Sequence, residues 1–191
     1  MSTPSRSRRV ARDCAFQASY AAWIGQIPVA EAIEAVLEEQ PLTDKALDFM
    51  TTVVTGVTEQ AEHLDDQIEP FLAMGWTIRR LAVTDLIALR MAVFELESMP
   101  GIPPKATIVE AVELAKKYGA AEGGRFVNGV LGNVLKNSPK AKWDPSQEEV
   151  LEYDDEPVAA PEPVIEEELV EGTEEYNEVI KAGSWIIKTE G

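Results

Sequence analysis

Residues 102–135, IPPKATIVEAVELAKKYGAAEGGRFVNGVLGNVL, decide the fold. Proline is tolerated near a helix start, where its missing N–H leaves no bond unmade, so Pro103 and Pro104 mark the beginning of one helix. Ile108, Val109, Ala111, Val112, Leu114 and Ala115 follow at helical spacing. Lys116 and Lys117 fall in its last turn, where cations suit the negative end of the helix dipole. Gly119 is expected as a left-handed stop. Phe126, Val127, Val130, Leu131 and Val134 then carry a second helix. Gly129 and Gly132 lie inside it, where each costs about 1 kcal/mol relative to alanine, so close helix packing is expected there. Asn128 would need hydrogen-bond partners if buried.

Outward from this block, nearly every segment before residue 137 has helical periodicity. A first helix is expected over 6–25, with Phe16, Tyr20, Trp23 and Ile27 as an apolar stripe. Pro28 opens a second over about 28–39. Thr43 is a candidate N-cap for a third through Leu47, Met50, Val54 and Val57. A fourth is expected over 58–73, shortened or bent at Pro70. The fifth, over 77–97, is the most apolar: Leu81, Leu86, Leu89, Val93 and Leu96. Seven helices with short links and no strand pattern make an all-α domain over residues 1–137.

After Asn137 the composition shifts. Pro139, Pro145, Pro157, Pro161 and Pro163 alternate with acidic runs that cannot bury enough apolar surface to fold alone. Residues 138–191 read as an acidic, largely disordered tail, with 138–165 a linker and a short ordered segment near 176–188. The overall charge of −17 is therefore uneven. Residues 1–143 hold 18 acidic and 15 basic side chains, net −3, whereas residues 144–191 hold 16 and 2, net −14. So acidic a total does not exclude nucleic acid as a ligand of the domain.

Catalysis has little to work with. His63, the one histidine, lies in the polar run EQAEHLDD and reads as a solvated helix residue. Cys14, the one cysteine, lies among alanines and reads as a small core residue, which excludes an intramolecular disulfide or a cysteine metal cluster. GGRFVNGVLG lacks the preceding strand that a dinucleotide site needs. No enzyme activity, cofactor or metal site is expected. The fifth helix is interrupted by Asp85, Arg90 and Glu95, so no membrane span is expected, and a cytoplasmic protein is.

Two basic groups stand out. SRSRRVARDCAFQ places Arg6, Arg8, Arg9 and Arg12 within seven positions. Arginine serves RNA by forked hydrogen bonds to phosphate and by stacking on bases; the alternative is a solubilising basic terminus. Lys116, Lys117 and Arg125 form the second group, against the alternative of helix-end electrostatics. Phe126 beside Arg125 can stack on a base or fill the core.

EAVELAKKYG followed by RFVNGVL resembles the C-terminal signature of the NusB family of transcription antitermination factors. RRVARDCAFQASY resembles the family's opening helix, and DLIALRMAVFEL its central one; together the likeness covers about residues 6–137. The resemblance implies two packed small helical bundles. It also implies binding of boxA-type single-stranded RNA together with the ribosomal protein NusE, within an RNA polymerase antitermination complex active in ribosomal RNA synthesis. By position, the implied RNA-facing group is Arg6, Arg8, Arg9, Arg12, Lys116, Lys117, Arg125 and Phe126. Tyr20, Asp85 and Arg90 are implied at or near the NusE-facing side.

The chain departs from the family pattern at Val109, at the acidic tail and at Gly123–Gly124, which are expected to loosen a hinge carrying Arg125. The tail is expected either to fold back on the arginines or to bind basic partners, or else to remain solvated. Two other functions compete: a helical protein–protein module without RNA binding, and a regulatory relative of the NusB-like domain carried by some ribosomal RNA cytosine methyltransferases.

Overall fold

The computed structural model describes residues 7–144 and 146. Seven α-helices follow one another: α1 (Arg8–Gly25), α2 (Val29–Glu39), α3 (Asp44–Glu59), α4 (Ala61–Ile68), α5 (Val83–Ser98), α6 (Pro104–Tyr118) and α7 (Gly123–Asn137). There is no strand among the described residues. α1–α3 form one small bundle and α4–α7 the other, with α5 packed on helices of both. Arg6, residues 147–191 and the segment expected near 176–188 lie outside the described residues.

The local chemistry of the helix ends follows the sequence. Ser7 caps α1, its Oγ accepting from the Val10 N–H at 3.5 Å, and the chain leaves α1 through Gln26 in the left-handed region, φ 51°. Pro28 precedes α2, Thr43 precedes α3, and Pro104 takes the first position of α6. Pro70 lacks the N–H that would continue α4, and residues 69–71 tighten into a 3-10 turn instead. α5 is buried on nearly every side, as a helix apolar all round must be.

Five expectations are corrected. The fifth helix begins at Val83 rather than 77: a separate 3-10 turn, Ile78–Arg80, precedes it, and Leu81 and Ala82 are extended. Gly119 is not left-handed but extended, φ −100° and ψ −165°. Its glycine is required by space, since a Cβ there would lie 2.5 Å from the Ala115 carbonyl oxygen and 2.9 Å from Asp85 Oδ1. Gly123 and Gly124 are not a loose hinge; both are buried in the first turn of α7. A Cβ on Gly123 would meet Asp85 Oδ1 at 2.6 Å, and one on Gly124 would meet Lys116 Cγ at 2.7 Å. Gly129, expected at a tight helix contact, faces open space, and Asn128 is exposed.

The fifth correction concerns the boundary at 137. The chain continues as an ordered 3-10 turn, Pro139–Lys142, that packs on α5 and α7. Lys140 is buried, and its Nζ donates to the carbonyl oxygens of Glu95 (3.0 Å), Met99 and Ile102 (2.7 Å). It thereby ties the C-terminal end of α5 to the segment that follows it, adding a second donor at the Glu95 and Met99 carbonyls, which also accept from the Met99 and Ile102 N–H groups. Burial pushes its ammonium down to about 8 against the attraction of Glu95, which leaves it charged at neutral pH. Trp143 adds a bond from Nε1 to the Pro100 carbonyl at 3.0 Å.

Candidate nucleic-acid interface

α1 and α6 lie side by side, and their polar residues meet in order along the seam. Arg9 Nε stands 3.8 Å from Glu110. One turn further, Asp13 Oδ1 accepts from Lys117 Nζ at 2.7 Å and from the Tyr118 hydroxyl at 3.0 Å. Below this seam Phe16 stacks on Tyr118 with ring centroids 4.5 Å apart, fixing the register of the two helices. A cleft of about 480 Å³ opens along it toward α2, with Arg9, Gln17, Glu110 and Lys117 in its wall. Its Glu110 carboxyl is pushed up by burial, with Arg12 and Arg9 opposing. The hydrogen bond to Asp13 holds the Lys117 ammonium above its ordinary value.

The seam continues onto α7. The aliphatic part of Lys116 lies across Gly124, where a Cβ would meet its Cγ, Cε and Cδ within 3.4 Å. Arg125 follows at once and is exposed. Thus Arg9, Lys117, Lys116 and Arg125 form one cationic edge drawn from three helices. Each of them has a carboxylate close by: Glu110, Asp13, Glu113 at 2.9 Å and Glu122 at 3.2 Å, respectively. An anion reaching this edge would compete with these pairs.

Arg8 and Arg12 point elsewhere. Arg8 lies 5.7 Å from the centre of the Phe49 ring and Arg12 5.2 Å from it, both turned toward α3. Arg12 is 6% exposed, and its guanidinium forms a bidentate pair with Glu95 of α5. The expectation of Arg12 as an RNA-facing residue is therefore corrected: its charge is already satisfied inside the domain. Thr107 completes the cluster, its hydroxyl donating to Glu95 Oε2 at 3.1 Å.

Of the three residues expected toward a protein partner, Tyr20 and Arg90 reach the surface and Asp85 does not. Tyr20 and Trp23, both 40% exposed, stand with Ile24 at i, i+3, i+4 spacing on the second half of α1. Phe16 alone of the expected stripe's aromatic residues is in the core. Arg90 lies over the Trp23 ring at 4.6 Å and holds Asp65 in a bidentate pair at 2.7 Å. Asp85 is buried against Gly119 and Gly123, and burial pushes its carboxyl up. Its Oδ1 has no hydrogen-bond partner among the described residues. It belongs to the junction of α5, α6 and α7, not to an outer face.

Phe126 is half-buried, and its ring lies 6.5 Å from that of Trp76, an aromatic on the loop before α5. Sequence reading passed over Trp76, because a tryptophan between two helices looks like core. His63 is exposed beside Glu97 at 3.0 Å, and Cys14 is buried, its thiol pushed up to about 11 mainly by burial. No described helix is long and apolar enough to cross a membrane.

Fold and surface together define a class: all-helical domains of two small bundles, with a cationic edge at the α1–α6–α7 junction and a separate exposed apolar stretch on α1. Within that class the chain belongs to the NusB family, whose model matches residues 9–136. It is 41% identical over 139 residues to the transcription antitermination protein NusB of Lactiplantibacillus plantarum, covering 70% of this chain and 97% of that one. The NusB of Pectobacterium carotovorum is 38% identical, covering 71% and 96%. Among solved structures, T. maritima NusB superposes with a TM-score of 0.66 at 34% identity, covering 72% of this chain and 97% of that chain. A chain from the crystal structure of antitermination factors NusB and NusE in complex with dsRNA superposes at 0.62 and 31% identity, covering 68% and 96%.

Proposed function

We propose that this protein is a non-catalytic transcription antitermination factor that binds boxA-type single-stranded RNA together with NusE, as part of an RNA polymerase antitermination complex. The observation that carries this reading is the cationic edge of Arg9, Lys117, Lys116 and Arg125, which crosses three helices and ends at Phe126. Cations that track a backbone beside an aromatic that can stack suit unpaired RNA, whose bases are free to splay. The family match, and a solved relative held with NusE and double-stranded RNA, support NusE and RNA as the partners.

Tyr20, Trp23 and Ile24, with Arg90 over Trp23, are the proposed NusE-facing surface. Exposed aromatics beside an arginine are the composition that protein interfaces favour. Because the edge cations are paired with carboxylates, RNA alone is expected to bind weakly and NusE to raise the affinity. The test is titration of a boxA-like single strand with and without NusE, using the chain as it stands and its Arg9→Glu, Lys116→Glu variant. Cooperative binding that the variant loses supports the reading. Binding unaffected by both charge reversals contradicts it and favours a protein-only module. Removing one cation from a phosphate should flatten the slope of log affinity against log salt by about 0.7.

A further inference from the structure

We propose that Trp76, with Arg80 and Phe126, forms a second platform for unpaired nucleobases, carrying the RNA track past α7 onto the loop before α5. The proposal rests on the RNA-binding reading above and adds to it Trp76 and Arg80, which that reading does not include. Trp76 is 48% exposed, and Met74, two positions before it, is fully exposed; they are the large apolar side chains that this loop holds out to water. An exposed apolar cluster of this kind marks a contact surface more often than a folding element.

The loop is built to hold the ring still. Gly75 takes φ +82°, a conformation that side chains rarely adopt, and the Trp76 N–H closes the turn onto the Ala73 carbonyl at 2.9 Å. Arg80 reaches back to the Gly75 carbonyl at 2.6 Å while its guanidinium lies 5.2 Å from the centre of the indole. The Ile78–Arg80 turn that interrupts the expected helix is what places that arginine over the ring. A fixed aromatic carrying a cation is a stacking site for a base next to a phosphate contact.

Two further facts choose RNA over another occupant. First, the platform is continuous with the cationic edge: Lys116 lies on Gly124, Arg125 and Phe126 follow in α7, and the Phe126 ring faces Trp76 at 6.5 Å with a 37° tilt. Second, the far side is closed by charge. Glu62, Asp65, Asp66 and Glu69 of α4 and its following turn line one open cleft with Arg79. A polyanion arriving from α7 is therefore stopped beyond Arg80.

The experiment compares the whole chain with Trp76→Ala and Trp76→Phe, each with NusE present, on a short single-stranded RNA and on a duplex of the same sequence. Trp76→Ala is expected to weaken single-strand binding about tenfold with the salt slope unchanged, since it removes a stacking surface and leaves every cation in place. Trp76→Phe should retain most of the affinity. Photo-crosslinking of 5-iodouridine RNA to the unaltered chain, mapped by mass spectrometry, should mark Trp76; crosslinks at Phe126 without Trp76 count against the platform. Wild-type affinity in Trp76→Ala, or equal losses on single strand and duplex, overturns the proposal. Loss of NusE binding by Trp76→Ala without RNA also overturns it and makes the loop a protein surface. If Arg9→Glu, Lys116→Glu abolishes binding while Trp76→Ala does not, only the platform is wrong. If neither matters, the RNA-binding reading itself falls.

Discussion

Arg12 and Glu95, 83 residues apart in sequence, meet in a bidentate pair at 2.8 Å on both arms and tie α1 to α5 across the core. Both side chains are almost fully removed from water. Removing one member of such a pair leaves a charge buried without its partner, which costs about 3–5 kcal/mol. Glu95→Leu and Arg12→Met are each expected to destabilise by this order, and the double variant to recover most of the loss. A double-mutant cycle of urea unfolding midpoints measures it; additive single effects would contradict the coupling. The double variant should also bind RNA as the parent does, because Arg12 does not reach the surface.

Lys140 makes the folded unit longer than its helices. Lys140→Met leaves the Glu95, Met99 and Ile102 carbonyls without their shared donor, at a cost of about 2–3 kcal/mol. A chain ending after Asn137 should lose at least as much, whereas one ending after Asp144 should unfold at the full-length midpoint. Equal midpoints for the two truncations would show that the Pro139–Lys142 turn adds no stability.

Asp85 makes stability depend on pH in the opposite sense to a salt-bridged carboxylate. Burial raises its carboxyl above the ordinary 3.8, so the folded state holds the proton longer than the unfolded state does. Stability from this group is present below 3.8 and is lost as pH rises through the raised folded value. The difference in unfolding free energy between the parent and Asp85→Asn should therefore shift in favour of the variant across that window. A difference that stays flat with pH would mean that the two helix N-termini beside Asp85 offset its burial.

The glycines separate into those that are needed and those that are not. Gly129→Ala places a methyl in open space within α7 and should stabilise by about 0.5–1 kcal/mol, the helix propensity difference. Gly56→Ala drives a Cβ to 2.1 Å from the Phe94 ring and should destabilise by about 1–3 kcal/mol. Thermal midpoints moving in opposite directions are the expected outcome; movement in one direction would show that packing at Gly56 adapts.

Helix positions were legible because they rest on short-range chemistry: 3.6-residue periodicity, Ser7, Pro28 and Pro104 at helix starts, and Pro70 at a helix end. Half of the candidate site was legible too, since Lys116, Lys117 and Arg125 do gather at one junction. Lys140 was missed because proline and acidic residues around it read as a linker, although its own bonds are made to α5. Trp76 was missed because hydropathy cannot distinguish an aromatic held out on a loop from one in the core.

The sequence by itself determined the seven helices, the family and the uneven charge, because each depends on residues close together along the chain. Only the tertiary structure decided which arginines are surface cations. Arg9 and Arg12 lie one turn apart on the same helix, yet Arg9 is exposed and Arg12 is buried on Glu95. The free energy of a charge depends on the water and counter-charges around it, and those are brought from distant positions only when the chain folds.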